Sequence, residues 1–242
     1  VAWDASGLLP DLQSKFGDFV VPIVLAHEWG HAIQARSNFT ARTVTKELQA
    51  DCCAGGWAKH AKDAGLYKVN AAEMDNALAG ILTLKDSPGT SKIDSSAHGS
   101  GFDRVSAFQD GYDNGPNACK EYRDDTPIVV ERPFQNAEDE AAGGDMPQFV
   151  LAAMTRANDK SEDKTQSLRG DCFAGAYTAS VLLQNRKDTS SFGISPGDLD
   201  EAITALLVFR VDGDVERQGA GFERIRHYRN GVLNGAEACL KD

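Results

Sequence analysis

Ala26-His27-Glu28-Trp29-Gly30-His31 follows an apolar run, Val20-Val21-Pro22-Ile23-Val24-Leu25, and its reading decides the rest of the chain. Pro22 suits the first turn of a helix, where its missing N–H goes unused, and the element is predicted to run to about Ala35. On such a helix His27 and His31 share one face, their imidazoles converging on a single point. Val20, Ile23 and Val24 lie on or beside that face and would bury it. Two neutral imidazoles suit Zn²⁺, and a glutamate placed directly after the first can take a proton from a zinc-activated water. A buried histidine pair that binds nothing is the plainer alternative, and the residues downstream weigh against it.

Ser37 to Thr43 is a polar connection, and a second helix is predicted from about Val44 to Lys62. It carries Glu47-Leu48-Gln49-Ala50-Asp51, with Glu47 and Asp51 on one face that continues through Ala50, Ala54 and Ala58. Small residues there let two helices approach closely. A Glu/Asp pair on a helix is by default a solvated face. Here Glu47 follows His31 by 16 residues, the reach of one loop and a helix return, and it is the candidate third metal ligand. Two imidazoles and one carboxylate leave a fourth tetrahedral position open, which marks a catalytic zinc site, one ion per chain. Asp51, one turn after Glu47, is placed to accept a hydrogen bond from the far nitrogen of His27. Glu28 is the expected general base, later returning its proton to the leaving amine. A donor for the developing oxyanion is also required, and His98, with Arg104 second, is the candidate. A surface or capping role is the plainer account of His98.

Around these elements, Val1 to Asp4 is expected to end a strand and Asp11 to Phe16 to form a short helix. Ala71 to Leu84 has an amphipathic helical pattern, and Ser87 to Ser96 is rich in loop formers. Phe102, Val105, Phe108 and Tyr112 recur at helical spacing between Gly101 and Asn114, a core stripe. The second half of the chain then echoes the first. Asp51-Cys52-Cys53-Ala54-Gly55 matches Asp171-Cys172-Phe173-Ala174-Gly175, and Gly101-Phe102-Asp103-Arg104 matches Gly221-Phe222-Glu223-Arg224, both at an offset of 120 residues. Gly111 and Gly231, Asn114-Gly115 and Asn234-Gly235, and Cys119 and Cys239 keep that offset. The acidic stretch around Glu138 to Gly144 joins the halves. Aligning Pro22 with Pro147 sets Ala152, Ala153 and Arg156 opposite His27, Glu28 and His31; Ser167 stands opposite Glu47 and Gln218 opposite His98. One half keeps the metal-binding residue types, the other only the scaffold.

The five cysteines sort on the same offset. Cys52 and Cys119 have counterparts Cys172 and Cys239, so bridges Cys52–Cys119 and Cys172–Cys239 are expected, with Cys53 a buried free thiol. Paired bridges imply an oxidising compartment. A net charge of −11 argues against nucleic acid or anionic membrane surfaces as partners, both of which need basic patches. No apolar run approaches the roughly 20 residues that span a bilayer, so no membrane insertion by this segment is expected. The chain opens at Val1 without an initiator Met, and a removed upstream signal or anchor is expected.

Gly17-Asp18-Phe19, Leu25 to Gln34, Glu47 to Ala58, His98-Gly99 with Arg104, and Gly111-Tyr112 to Cys119 together resemble the bacterial neutral zinc metallopeptidase family of the gluzincin type. The resemblance covers about residues 1 to 122. It implies zinc on His27, His31 and Glu47, catalysis by Glu28, and an extracytoplasmic location, secreted or anchored. The second, ligand-free half is not part of the family's minimal pattern, so its role stays open.

The expected fold is mainly α with minor β: a gluzincin-like half, 1–125, followed by a degenerate repeat, 126–242. The expected function is zinc-dependent endopeptidase activity on a peptide or protein substrate. A binding or scaffold protein with a structural zinc, and a zinc amidase acting on a cell-wall bond, share the same ligands and stay open.

Overall fold

The structure, a computed structural model, describes residues 3–125, 134, 136–141, 163–183, 193–208 and 215–241. Its contacts divide the chain into two units, Val1–Pro133 and Phe134–Asp242, against a boundary drawn from sequence after residue 125.

Among the described residues the regular structure of the first unit is helical. It contains α1 (Leu8–Phe16), α2 (Val20–Arg36), α3 (Thr43–Asp63), α4 (Ala71–Leu82) and α5 (Gly101–Asn114), closed by a 3₁₀ turn at Ala118–Glu121. α2 buries Val20, Ile23, Val24, His27, Gly30 and Gln34 along one stripe, the three-to-four spacing of a helix face. Pro22 sits in its first turn, where no helical N–H is needed. α3 has no cap from its own N-terminal residue. Asp124, far along the chain, supplies one: its Oδ1 accepts from the Arg42 N–H at 2.8 Å and the Thr45 hydroxyl at 3.0 Å. An anion there also suits the positive end of the helix dipole.

α3 and α5 form the centre of this unit. Gly55 and Gly111 make their close approach possible: a Cβ on Gly55 would stand 1.8 Å from the Phe108 carbonyl oxygen, and one on Gly111 the same distance from that of Cys52. Val44, Leu48, Cys52, Ala97, Ala107, Cys119 and Tyr122 pack together as one core cluster. Each large side chain so buried contributes roughly 1.5–3 kcal/mol. Cys52 bridges Cys119, tying α3 to the turn after α5. α1 packs through Leu9 and Leu12 on Val20 and Val24 of α2. α4 opens with a reciprocal cap between Asn70 and Glu73 and buries Met74, Leu78, Ile81 and Leu82.

Two expectations need correction. Among the described residues no strand forms; Arg123 alone takes part in an isolated bridge. Trp3 and Asp4 are not extended pairing partners. The Asp4 carboxylate captures the N–H groups of Ser6, Gly7 and Leu8, which leads the chain into α1 and holds the carboxyl at about 2. Cys53 is unpaired as expected, yet half-buried rather than buried, and burial pushes its thiol up.

The second unit contains α6 (Ala137–Ala141), α7 (Lys164–Leu182), α8 (Asp198–Val208), α9 (Val215–Gln218), α10 (Gly221–Asn234) and a 3₁₀ turn at Ala238–Leu240. α6 falls within the acidic stretch. α10 and α5 are both 14 residues long. The bridges Cys52–Cys119 and Cys172–Cys239 each span 67 residues. A Cβ on Gly175 would meet the Tyr228 carbonyl oxygen at 1.9 Å, and one on Gly231 that of Cys172 at 1.8 Å, so α7 and α10 touch as α3 and α5 do. Ala152, Ala153 and Arg156 lie outside the described residues. Ser167 and Gln218 are buried.

Candidate metal centre

α2 and α3 supply every donor. The contact between them is set by Gly30, inside the His-Glu-Trp-Gly-His element: a Cβ there would stand 2.8 Å from the Ala50 Cα. With that clearance the Glu47 carboxylate lies between both imidazoles. Its Oε2 is 3.3 Å from His27 Nε2, and its Oε1 is 3.2 Å from His31 Nε2. The two Nε2 atoms are 3.1 Å apart. Among the described residues this is the one group of three or more such side chains arranged to hold a metal ion.

The far nitrogens of both rings are engaged. His27 Nδ1 stands 2.8 Å from Asp51 Oδ1, and His31 Nδ1 stands 2.9 Å from Gln34 Oε1. A carboxylate only accepts hydrogen bonds, so His27 donates from Nδ1, and in its neutral form the bare lone pair is on Nε2. Asp51 is itself clamped: Arg104 Nε donates to its Oδ2 at 2.8 Å and Nη2 to its Oδ1 at 3.0 Å. A third nitrogen, Nη1, donates to the Leu84 carbonyl at 2.5 Å.

The donor set therefore fits a divalent cation. Two imidazole lone pairs and two carboxylate oxygens converge at one point. Donors about 2.0–2.1 Å from a tetrahedral zinc stand about 3.3 Å apart, close to the spacings found here. Without a cation the same atoms attract protons. Burial works against charge on His27, but Asp51 and Glu47 outweigh it and push the imidazole up to about 9. The Glu47 hydrogen bond likewise raises His31 against burial. Burial raises Glu47, yet both histidines hold its carboxyl well below the usual range. Asp51, fully buried, is kept low by Arg104 and then His27. Asp171 has the corresponding clamp from Arg224, and there burial pushes the carboxyl up against the opposing pull of Arg224 and His227.

Glu28 is half-buried, about 100° around α2 from His27, and its carboxylate has no hydrogen-bond partner among the described residues. The His31 side chain is 29% exposed against 11% for His27, so solvent reaches the centre from the His31 side. His98 is not drawn into the donor cluster. Asp86 Oδ2 accepts from the His98 and Gly99 N–H groups, Asp86 Oδ1 stands 3.5 Å from Nδ1, and the side chain is half exposed. Arg104, expected as a second oxyanion contact, is buried with its guanidinium committed to Asp51 and Leu84. Each of its three guanidinium nitrogens donates to one of these two residues. Gln34 and Gly30 are the residues that sequence reasoning missed. The signal for Gln34 was its place three residues after His31, on the same helix face.

Residues 35–122, which hold Glu47, Asp51, His98 and Arg104 and begin after His31, match the family model described as "Putative neutral zinc metallopeptidase". The chain is 30% identical to "Uncharacterized protein YpfJ" of Escherichia coli (strain K12), over 46% of its own length and 47% of that protein. The same figures hold for "Uncharacterized protein Rv2575" of Mycobacterium tuberculosis and "Uncharacterized protein Mb2605" of Mycobacterium bovis. The chain spans about half the length of the curated relatives it matches. No solved structure matches it. The similarity to the family described as "Putative neutral zinc metallopeptidase" therefore rests on residues 35–122, which carry the Glu47 helix and its Asp51–Arg104 clamp.

Proposed function

We propose that the first unit is a zinc-dependent endopeptidase working outside the cytoplasm. The observation that carries this reading is the convergence of His27, His31 and Glu47, with Glu28, next to His27 on α2, unpartnered among the described residues. A structural site has no use for that base. When bound, the ion supplies Lewis acidity, acidifying water and polarising a carbonyl. Glu28 accepts the proton of the attacking water as the new C–O bond forms, then delivers it to the amide nitrogen as the C–N bond breaks. Asp51 keeps His27 in its Nδ1–H form throughout, and Arg104 keeps Asp51 charged and oriented. His98, with Nδ1 turned to Asp86 and a half-exposed ring, is the candidate donor to the developing oxyanion.

The two disulfides support an oxidising compartment, and no described helix is long and apolar enough to cross a membrane. In this reading the second unit is a degenerate copy that kept the bridge, the glycine contacts and the Arg–Asp clamp, and lost the metal donors. The test pairs elemental analysis with casein hydrolysis. One zinc per chain that disappears in His27→Ala, with hydrolysis lost in Glu28→Gln while zinc stays, is the expected result. A chain that takes up no zinc under metal-replete conditions contradicts the reading.

A further inference from the structure

Gln34 is buried, 5% exposed, and both polar atoms of its amide are used, one within α2 and one across the α2–α3 interface. Its Nε2 donates to the Lys46 carbonyl at 2.7 Å, and its Oε1 faces His31 Nδ1 at 2.9 Å. The orientation of a glutamine amide follows from its partners. A backbone carbonyl can only accept, so the NH₂ must face Lys46, which leaves Oε1 toward the imidazole. An oxygen there can only accept in turn. His31 must then carry a proton on Nδ1, so its neutral ring presents a bare lone pair at Nε2, the atom aimed at Glu47 and His27. Lys46 directly precedes the ligand Glu47. One side chain thus sets the tautomer of one ligand and ties its helix to the residue beside another.

We infer that Gln34 is a positioning residue of the metal centre, fixing His31 in its Nδ1–H form through the Lys46 carbonyl. His27 receives the same service from an anion, Asp51, backed by a buried arginine. A neutral amide serves His31, so the site gains a second oriented imidazole without a third carboxylate. With both imidazoles neutral, as metal binding requires, Glu47, Asp51 and Arg104 leave the donor cluster one net negative charge for a divalent ion to meet. This inference rests on the zinc reading, yet it concerns how one ligand is held and not which bond is cut.

The experiment compares the full chain with Gln34→Leu and Gln34→Glu, using zinc as the probe. Zinc affinity is measured by chelator competition, and the His31 tautomer by ¹⁵N–¹H correlation of the imidazole in the zinc-loaded chain. Circular dichroism checks that each variant is folded. Gln34→Leu removes both hydrogen bonds and is expected to weaken zinc binding about 10–100-fold, as loss of such supporting partners typically does. Gln34→Glu keeps the acceptor and loses the donor. It should hold the Nδ1–H signature and stay within a few-fold of wild-type affinity while melting at lower temperature. Wild-type affinity and an unchanged tautomer in Gln34→Leu would overturn the inference. So would equal losses in both variants, which would reduce Gln34 to packing. A wild-type chain that binds no zinc overturns the zinc reading itself, an outcome distinct from either.

Discussion

Arg104 grips Asp51 with two nitrogens, at 2.8 and 3.0 Å, and both residues are almost wholly removed from solvent. The pair joins α3 to α5 and stands directly behind His27. A buried ion pair of this kind is costly to break, because the remaining charge is left uncompensated. Arg224 and Asp171 make the same grip, at 2.9 and 3.0 Å.

Arg104→Ala should therefore cost about 3–5 kcal/mol of stability and weaken zinc binding as well, since Asp51 loses its anchor. Arg224→Ala should destabilise the chain while leaving zinc affinity as in wild type. Denaturant melts and chelator competition on both variants separate the two effects. Equal loss of zinc affinity in both would contradict the assignment of the clamp to His27.

Gly30→Ala tests the helix contact. The added Cβ would meet the backbone of Ala50 at 2.8 Å, so α2 and α3 must part. Overpacking of this sort costs about 1–3 kcal/mol. Because the donors sit on the two separated helices, zinc affinity should fall together with the melting temperature. An alanine variant with undisturbed affinity would show that the interface yields elsewhere.

The disulfides predict a matched pair of effects. Each closes 67 residues, for which loop-closure entropy gives about 4 kcal/mol. Cys52→Ser with Cys119→Ser should destabilise by an amount comparable to Cys172→Ser with Cys239→Ser. The first pair should also lower zinc affinity, since Cys52 follows Asp51 on α3. Calorimetry under non-reducing conditions reads both.

The charge balance of the centre makes its pH dependence specific. His27 is pushed from an ordinary imidazole value up to about 9 when no metal is present. A raised folded-state value means stability that is fully present below about 6.5 and is lost as pH rises through about 9. The metal-free chain should therefore soften across that window. Zinc must displace the proton, so its affinity should climb over the same window and level off near 9. Melting curves and zinc titrations from pH 6 to 10 check both trends. A metal-free chain whose stability is flat across the window would show that Asp51 and Glu47 do not raise His27.

Much of the centre was legible from spacing alone. Helical periodicity puts His27 and His31 on one face and Glu47 and Asp51 on another, because positions four apart are neighbours on any α-helix. The helix over Gly101–Asn114 could be read from its aromatic stripe and the glycine that follows it. The offset between the halves pointed to Cys52–Cys119 and Cys172–Cys239, pairings that five cysteines alone do not specify. Asp4 misled, since a side chain that caps a helix start leaves no periodic trace; Val1 and Ala2 lie outside the described residues.

Local periodicity thus determined which residues share a face: the two histidines on α2, the two carboxylates on α3, the core stripe on α5. Only the tertiary structure decided what each face meets. Arg104 could have reached outward to a substrate, and it turned inward because a buried carboxylate, Asp51, needs a permanent cation. Gln34 looked like one more polar helix residue until Lys46 presented a carbonyl that dictates which way its amide points. Hydrogen bonds between helices depend on the separation and rotation of those helices. These are set by contacts such as Gly30 on Ala50, whose partners lie far apart along the chain.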